Sequence, residues 1–357
     1  MYIYFEEKVV TMRILHILQT PRISGAENVV ADICMMFEGN IDMMYCSPDG
    51  PIRQALEDRG VEFSSLRKRK ISDLKGIIKK YKPDIIHAHD VRATVLATLT
   101  AGKIPVVSHL HGNMEDMRKI GLKSILYMLA AKKVKTIITV SEGCLKDYIF
   151  KKKIEKKTLC MRNVIHEPRI QKLMNKDSKE YNIDFVFMGR LSYPKNPQRV
   201  AKVASIVLKQ CPKASFGIIG NGELKNEMES VFMEEGVIDR VVFTDRLAYP
   251  YKALEQAKCM IMCSRFEGTP IAGLEAMALG VPIVSTPVDG MLDLVDDENT
   301  GYLRSEDKAL ANAIIGLLTE KNKREVMSDN SIRRFGKLNA SDRYKTQLND
   351  IYCNVVR

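Results

Sequence analysis

Short runs of β-branched and other apolar residues alternate with longer stretches of helical spacing along most of this 357-residue chain. Arg13–Leu18 (RILHIL) reads as a strand, Ser24-Gly25-Ala26-Glu27 as a turn, and Asn28–Phe37 as a helix with apolar residues at helical spacing. Strands follow over Asp84–His87 (DIIH), Pro105–His109 (PVVSH) and Thr136–Val140 (TIITV), the last ending at Ser141-Glu142-Gly143, a helix start. The second half repeats the scheme. Asp184–Met188 (DFVFM) leads to Gly189-Arg190 and a helix after Pro197, and Ser215–Ile219 (SFGII) leads to Gly220-Asn221-Gly222 and another helix. Arg240–Phe243, Cys259–Cys263 and Pro282–Ser285 continue the series. This alternation predicts an α/β protein with parallel sheets and crossover helices. The architecture repeats without a sequence repeat, and the seam falls near Arg162–Asn175, where Asn163, Pro168 and polar residues interrupt the pattern. Two doubly wound domains, their strand C-terminal ends around a shared cleft, are the expected arrangement, because ligands of such sheets bind at those ends.

One segment breaks the apolar pattern. After Cys259–Cys263 come Ser264-Arg265-Phe266-Glu267-Gly268, then Thr269 as N-cap and Pro270 at the first helical position. The helix should run to about Leu279, with Gly280 as its stop. Glu267 then lies in the loop and Glu275 inside an otherwise apolar helix, where an acid is costly unless something pairs with it. Spacing leaves two readings open. Both acids can be ordinary solvated residues. Alternatively Glu275 accepts hydrogen bonds from a sugar diol such as a ribose, while first-turn amides hold an anion.

Composition narrows the class. Hydrophobic content of 45% and charged content of 28% describe a soluble globular protein with ample core. No apolar run approaches eighteen residues. The first eleven residues, MYIYFEEKVVT, have acids where a signal peptide needs positive charge and read as an extension of a cytosolic protein. Eight cysteines without framework spacing imply reduced, mostly buried thiols. The net charge of +11 sits mainly in the first half, in clusters at Arg67–Lys70, Lys79-Lys80-x-Lys82, Lys132-Lys133-x-Lys135 and Lys151–Lys157. A basic face of this kind attracts nucleic acid, anionic lipid or an acidic substrate. Neither a D-x-D motif nor a convincing metal cluster is evident in the sequence, so no metal and no cofactor are expected.

Glu267–Glu275 resembles the E-x7-E signature of GT-B retaining glycosyltransferases of group 1, family 4, and the surrounding EGTPIAGLEAMALGVPIVSTPVDGMLDLVDDENTGYL is similar to that family almost continuously. Other segments match in order. Ser24-Gly25-Ala26-Glu27 resembles the first-loop G-G-A-E, Pro83–Asp90 (PDIIHAHD) a core strand, and Val140-Ser141-Glu142 the "VSE" helix start. Asn163-Val164 resembles the interdomain segment, Gly189-Arg190-Leu191 with Lys195 resembles G-R-L-x-x-x-K, and Gly220-x-Gly222-x-Leu224 completes the set. The resemblance covers roughly residues 12 to 305 and implies a GT-B fold, two Rossmann-like domains facing across a cleft.

What the resemblance implies can be carried over residue by residue. Arg190 and Lys195 would neutralise a departing nucleoside diphosphate, as fixed cations can in place of a metal. Gly25 would let backbone approach the donor closely. His111 would contact the donor sugar, while His16, His87 and His89 read as structural residues on or beside core strands. Glu267 would meet sugar hydroxyls or backbone near the reacting carbon, and Glu275 the ribose. The segment Gly268, Thr269, Pro270, Ile271 and Ala272 would hold sugar and phosphate. His111, Glu267, Arg190 and Lys195 are thus the candidate catalytic residues. One departure stands out: Asp245, in Phe243-Thr244-Asp245-Arg246, replaces the glycine of the family's F-x-G near the base.

The expectation is a retaining, metal-independent transfer of a hexose-type sugar from a nucleotide sugar, UDP being the commonest donor in such relatives. The expected acceptor is a glycan or polyprenyl-diphosphate-linked species of bacterial surface or capsular polysaccharide assembly. Residues 1–165 would form the acceptor-binding domain and 166–335 the nucleotide-sugar domain, with a C-terminal helix over 336–357 packing back toward the first. Hydrophobic residues beside lysines in Gly121–Val134 suit peripheral contact with anionic lipid at the inner face of the membrane. A GT-B sugar-nucleotide epimerase or a phosphorylase is the enzymatic alternative. A nucleic-acid binder is prompted by charge alone and lacks aromatic-basic interleaving.

Overall fold

A parallel seven-stranded sheet is built from β1 (Arg13–Ile17), β2 (Asp42–Ser47), β3 (Glu62–Ser65), β4 (Ile85–His89), β5 (Val106–Leu110), β6 (Thr136–Thr139) and β7 (Thr158–Cys160), in the order β3-β2-β1-β4-β5-β6-β7. A second, six-stranded parallel sheet contains β8 (Phe185–Met188), β9 (Phe216–Ile219), β10 (Val241–Asp245), β11 (Cys259–Met262), β12 (Ile283–Ser285) and β13 (Gly301–Leu303), in the order β10-β9-β8-β11-β12-β13. This computed structural model describes residues 12–67, 71–112 and 114–357. The expected N-terminal extension and the basic residues Lys68–Lys70 lie outside them.

Both sheets are doubly wound. Chain order reverses between β1 and β4 in the first and between β8 and β11 in the second, so each has a switch point where adjoining loops diverge and leave room for a ligand. The central strands are buried along their whole length, which is why they read as continuous apolar runs instead of alternating ones. Phe185 and Phe216 stack across β8 and β9 with centroids 4.6 Å apart, in a core that the helix Pro197–Gln210 covers with Val200, Val203, Ala204 and Val207.

The chain divides into two units: residues up to Arg162 together with Asp342–Arg357, and Asn163–Ser341. These limits differ from 165 and 335 for a local reason. The helix Lys321–Leu338 runs past 335, and Asn339 behind it clasps the backbone of Ile165, accepting from its amide at 2.8 Å and donating to its carbonyl at 3.0 Å. The last helix, Ser341–Val356, belongs to the first unit, where the Tyr352 hydroxyl meets His87 Nδ1 at 2.8 Å and Lys345 donates to Asn40 Oδ1.

Three local expectations need correction. The helix expected at Asn28 begins at Gly25, because Ser24 is extended and helical dihedrals start immediately after it. The helix expected after Ser141 is a single 3-10 turn, Glu142–Leu145. The helix expected from Pro270 runs Ile271–Ala278, with extended Pro270 itself as the cap in place of Thr269; Gly280, at φ +68°, ends it as expected.

Candidate active site

In the second unit the loops leaving β8, β9 and β11 form one rim. Two glycines allow their close approach. A side chain at Gly220, where φ is +148°, would overlap the Gly189 carbonyl, and one at Gly222 would overlap that of Leu191. Backbone bonds then bind the loops together, Gly189 N–H donating to Ile219, Leu191 to Asn221 and Leu224 to Leu191. Asp245 completes this corner. It sits at φ +52°, in the left-handed region that glycine favours and Asp tolerates, and accepts from Asn221 Nδ2 and Lys225 Nζ, each at 2.8 Å. The replaced glycine therefore leaves the backbone path intact and adds a carboxylate that Lys225 holds below its usual pKa.

Lys195 and Glu267 meet across the switch point. Lys195 ends a 3-10 turn after β8, and its ammonium binds the Glu267 carboxylate in the loop after β11, which also accepts from Ser264 Oγ at 2.6 Å. Arg265 reinforces the junction, its amide donating to the Pro194 carbonyl and its guanidinium to Asn196 Oδ1. Lys195 is thus held with a quarter of its side chain exposed. Arg190, on the same loop, is two-thirds exposed and pairs with Glu223 at 3.2 Å, a surface contact too weak to withhold it from an anion. After Gly268, whose carbonyl packs against Gly290, the chain turns into the Ile271–Ala278 helix. The amides of Ile271 and Ala272 precede its first internal bonds, which Gly273 and Leu274 make to Pro270.

Glu275 does not join that rim. It is 4% exposed and directed into the interior, where Oε1 accepts from Arg169 Nη2 at 2.6 Å and from the Tyr251 hydroxyl at 3.1 Å. Arg169, from the helix Pro168–Met174, is wholly buried and also contacts the Tyr251 hydroxyl. The acid at an apolar position is therefore satisfied through Oε1 by a protein cation, an ion pair that the sequence spacing alone did not disclose. The sequence held a sign of this: Arg169 shares the buried face of its short helix with Ile170 and Leu173, an apolar-phase charge of opposite sign.

In the first unit, Gly25 opens the Gly25–Met36 helix with nothing within 4 Å of where a Cβ would stand. Ser24, which replaces a family glycine, gives its hydroxyl to Glu27, and Thr20 donates to the same carboxylate at 2.8 Å. Burial raises the pKa of Glu27 despite these bonds. His111 follows β5, half-buried, its amide on Asp90 Oδ1 at 2.9 Å and its Nε2 on His89 Nδ1 at 2.9 Å. It does not stand alone. His16, His87, His89 and His109 are all buried beside it on β1, β4 and β5, and two three-histidine groups have ligating nitrogens within 4.8 Å of one another. The sequence reading treated these residues separately, and only the parallel register, His16 opposite His87 and His89 opposite His109, shows that they converge.

Two Rossmann-like units, each a doubly wound parallel sheet with its own switch point, are the architecture of the GT-B α/β fold. Residues 170–334 match the family model described as Glycosyl transferases group 1, and residues 23–161 the one described as Glycosyltransferase Family 4. The chain belongs to this family and is a glycosyltransferase. It is 25% identical over 348 residues to the UDP-Gal:alpha-D-GlcNAc-diphosphoundecaprenol alpha-1,3-galactosyltransferase of Escherichia coli, covering 87% of this chain and 89% of that one. A glycosyltransferase of Methanocaldococcus jannaschii is 30% identical over 231 residues, 59% of this chain and 57% of that protein. In three dimensions the chain is similar to Anabaena HepE in complex with UDP-glucose, with a TM-score of 0.81 at 19% identity, covering 96% of this chain and all of that one. These matches are to transferases and give the epimerase alternative no support.

Proposed function

We propose that this chain moves a hexose-type sugar from a UDP-sugar to a lipid-diphosphate-linked or other glycan acceptor in surface polysaccharide synthesis, with retention of configuration and without a metal. The observation that carries this reading is the Lys195–Glu267 bridge over the β8/β11 switch point, with Arg190 exposed on the same loop. In the reaction the bond between the anomeric carbon and the diphosphate oxygen breaks and the acceptor oxygen bonds to that carbon on the same face. The acceptor's hydroxyl proton passes to the departing oxygen. Charge grows on the diphosphate, and we assign Arg190 and Lys195, with the Ile271 and Ala272 amides, to receive it. Glu267 holds Lys195 in position and offers its remaining acceptor capacity to sugar hydroxyls. For His111 we retain the sugar contact that the family resemblance implies. Relatives support the substrates: the E. coli enzyme's name gives a UDP-galactose donor and a diphosphoundecaprenol-linked acceptor, and the HepE complex holds UDP-glucose.

Peripheral membrane contact on the cytoplasmic side is part of the proposal. Among the described residues no helix is long and apolar enough to cross a membrane. The helix Leu122–Lys133, however, turns Leu122, Ile125, Leu126 and Leu129 to solvent at three- and four-residue spacing, while Tyr127, Ala130 and Ala131 face the core. Lys123, Lys132 and Lys133 flank this stripe, the pattern of a helix seated on an anionic bilayer.

A transfer assay over UDP-sugars in EDTA, with product anomer read by NMR, tests the reaction. Persistent transfer with retained configuration is expected, together with a raised melting temperature from UDP-sugar binding. Loss of transfer in EDTA or an inverted product would refute the mechanism. Flotation with anionic vesicles tests the membrane contact, and failure to bind at low salt would end it.

A further inference from the structure

His16, His87, His89 and His109 share one face of the first sheet, because His87 and His89 are two residues apart and each sits opposite a histidine of the adjoining strand. His111, just beyond β5, stacks on His109 with ring centroids 4.2 Å apart. The hydrogen bonds within this group are few. His89 uses both its nitrogens, Nε2 with His16 Nδ1 at 3.0 Å and Nδ1 with His111 Nε2 at 2.9 Å. His87 meets Tyr352 through Nδ1. Both nitrogens of His109 are buried without a partner, as are His16 Nε2, His87 Nε2 and His111 Nδ1. A buried polar group left unbonded is costly, and several of them on one patch call for an occupant that accepts nitrogen lone pairs.

We propose that His89, His109 and His111 bind one first-row divalent transition ion of the zinc type. Imidazole nitrogen is a preferred donor for such ions, with metal–nitrogen distances of about 2.0–2.1 Å. The ligating nitrogens already lie within 4.8 Å of one another. The ion would enter between His89 Nδ1 and His111 Nε2, spreading them to about 3.3 Å for tetrahedral coordination, and would take a His109 nitrogen as third ligand. The proton inventory permits this without deprotonation. With the ion bound, His89 would carry its single proton on Nε2 and donate it to His16 Nδ1, the outer hydrogen bond that fixes a ligand's tautomer, and His111 would carry its own on Nδ1, a change of tautomer from the free site, where one proton lies between His89 Nδ1 and His111 Nε2. The Asp90 carboxylate at the His111 amide supplies nearby negative charge, and half-buried His111 gives an entry path from solvent. The site shares His111 with the sugar contact proposed above, so its test reads ion binding and not sugar transfer.

Titration of the EDTA-treated, desalted full chain with Zn2+ by calorimetry, and with Co2+ by visible absorption, tests the site. One ion per chain is expected, with tetrahedral Co2+ bands displaced by Zn2+. His111→Asn, at a half-buried position, should weaken binding at least tenfold, His109→Phe should do the same if it folds, and Cys160→Ser, at an exposed thiol, should change nothing. The inference fails if the wild-type chain binds no ion at micromolar concentrations, if His111→Asn binds as tightly as wild type, or if Cys160→Ser abolishes binding.

Discussion

Glu275 and Arg169 are charges of opposite sign at apolar positions of two short helices, and each is tolerable only because of the other. Removing one partner of such a pair strands a buried charge, which typically costs about 3–5 kcal/mol, whereas replacing both with apolar side chains is often neutral. Glu275→Ala should therefore lower the unfolding free energy of the chain by about 3 kcal/mol, and Arg169→Met with Glu275→Leu should recover most of it, as urea titration would show. Equal destabilisation in the double variant would contradict the pairing. Lys195→Ala should behave differently. Its ammonium is partly solvated and faces the rim, so turnover should fall at least tenfold with little loss of stability, read as kcat beside the melting temperature. Of the candidate site, the family resemblance singled out Arg190, Lys195 and Glu267, and the structure brings Lys195 and Glu267 together. Sequence alone could not disclose that Glu275 faces Arg169, 106 residues away, or that four histidines on three strands converge on a fifth, since both depend on tertiary register.

Between loops, backbone packs on backbone where β8 and β9 end. Gly222→Ala drives a methyl into the Leu191 carbonyl, and neither main chain can yield without shifting the loop that carries Arg190. A destabilisation of about 3 kcal/mol or more is expected, with weaker UDP-sugar binding by calorimetry. At the opposite end of the same strands, Asp184 joins three segments, accepting from the Ser215 amide at 2.9 Å and from Lys258 Nζ at 2.7 Å. Burial alone would raise its pKa, but Lys258 and the Ser215 amide outweigh burial and lower it below 3.8. The bonded, ionised form thus adds stability above pH 3.8 that is lost as pH falls through the lower folded value. Asp184→Asn should remove that acid dependence and cost about 1 kcal/mol at pH 7, visible in urea midpoints measured from pH 7 to pH 3. Among the elements, the central strands of both sheets were legible as buried apolar runs. β2, β3, β7 and β13 were not. EFSS and DMMYCS carry little β-branched character, and TLC and GYL are three residues long, so neighbours more than local preference make them strands.

At the scale of the whole molecule, the two units differ in how the chain builds them. Asn163–Ser341 is one continuous stretch, whereas the first unit needs Asp342–Arg357, the last residues of the chain. Tyr352, wholly buried, holds His87 and packs edge-on to Phe37, and Leu348 and Tyr344 are buried with it. Deleting residues 342–357 should leave the melting of the second unit near its native temperature and unfold or strongly destabilise the first. Hydrogen exchange resolved by segment would show protection lost in β1 and β4 but kept in β8 and β11; uniform loss, or none, would contradict the division. The second unit is therefore specified by one uninterrupted stretch of sequence, whereas the first is closed by a helix that lies beyond the whole of the second in chain order.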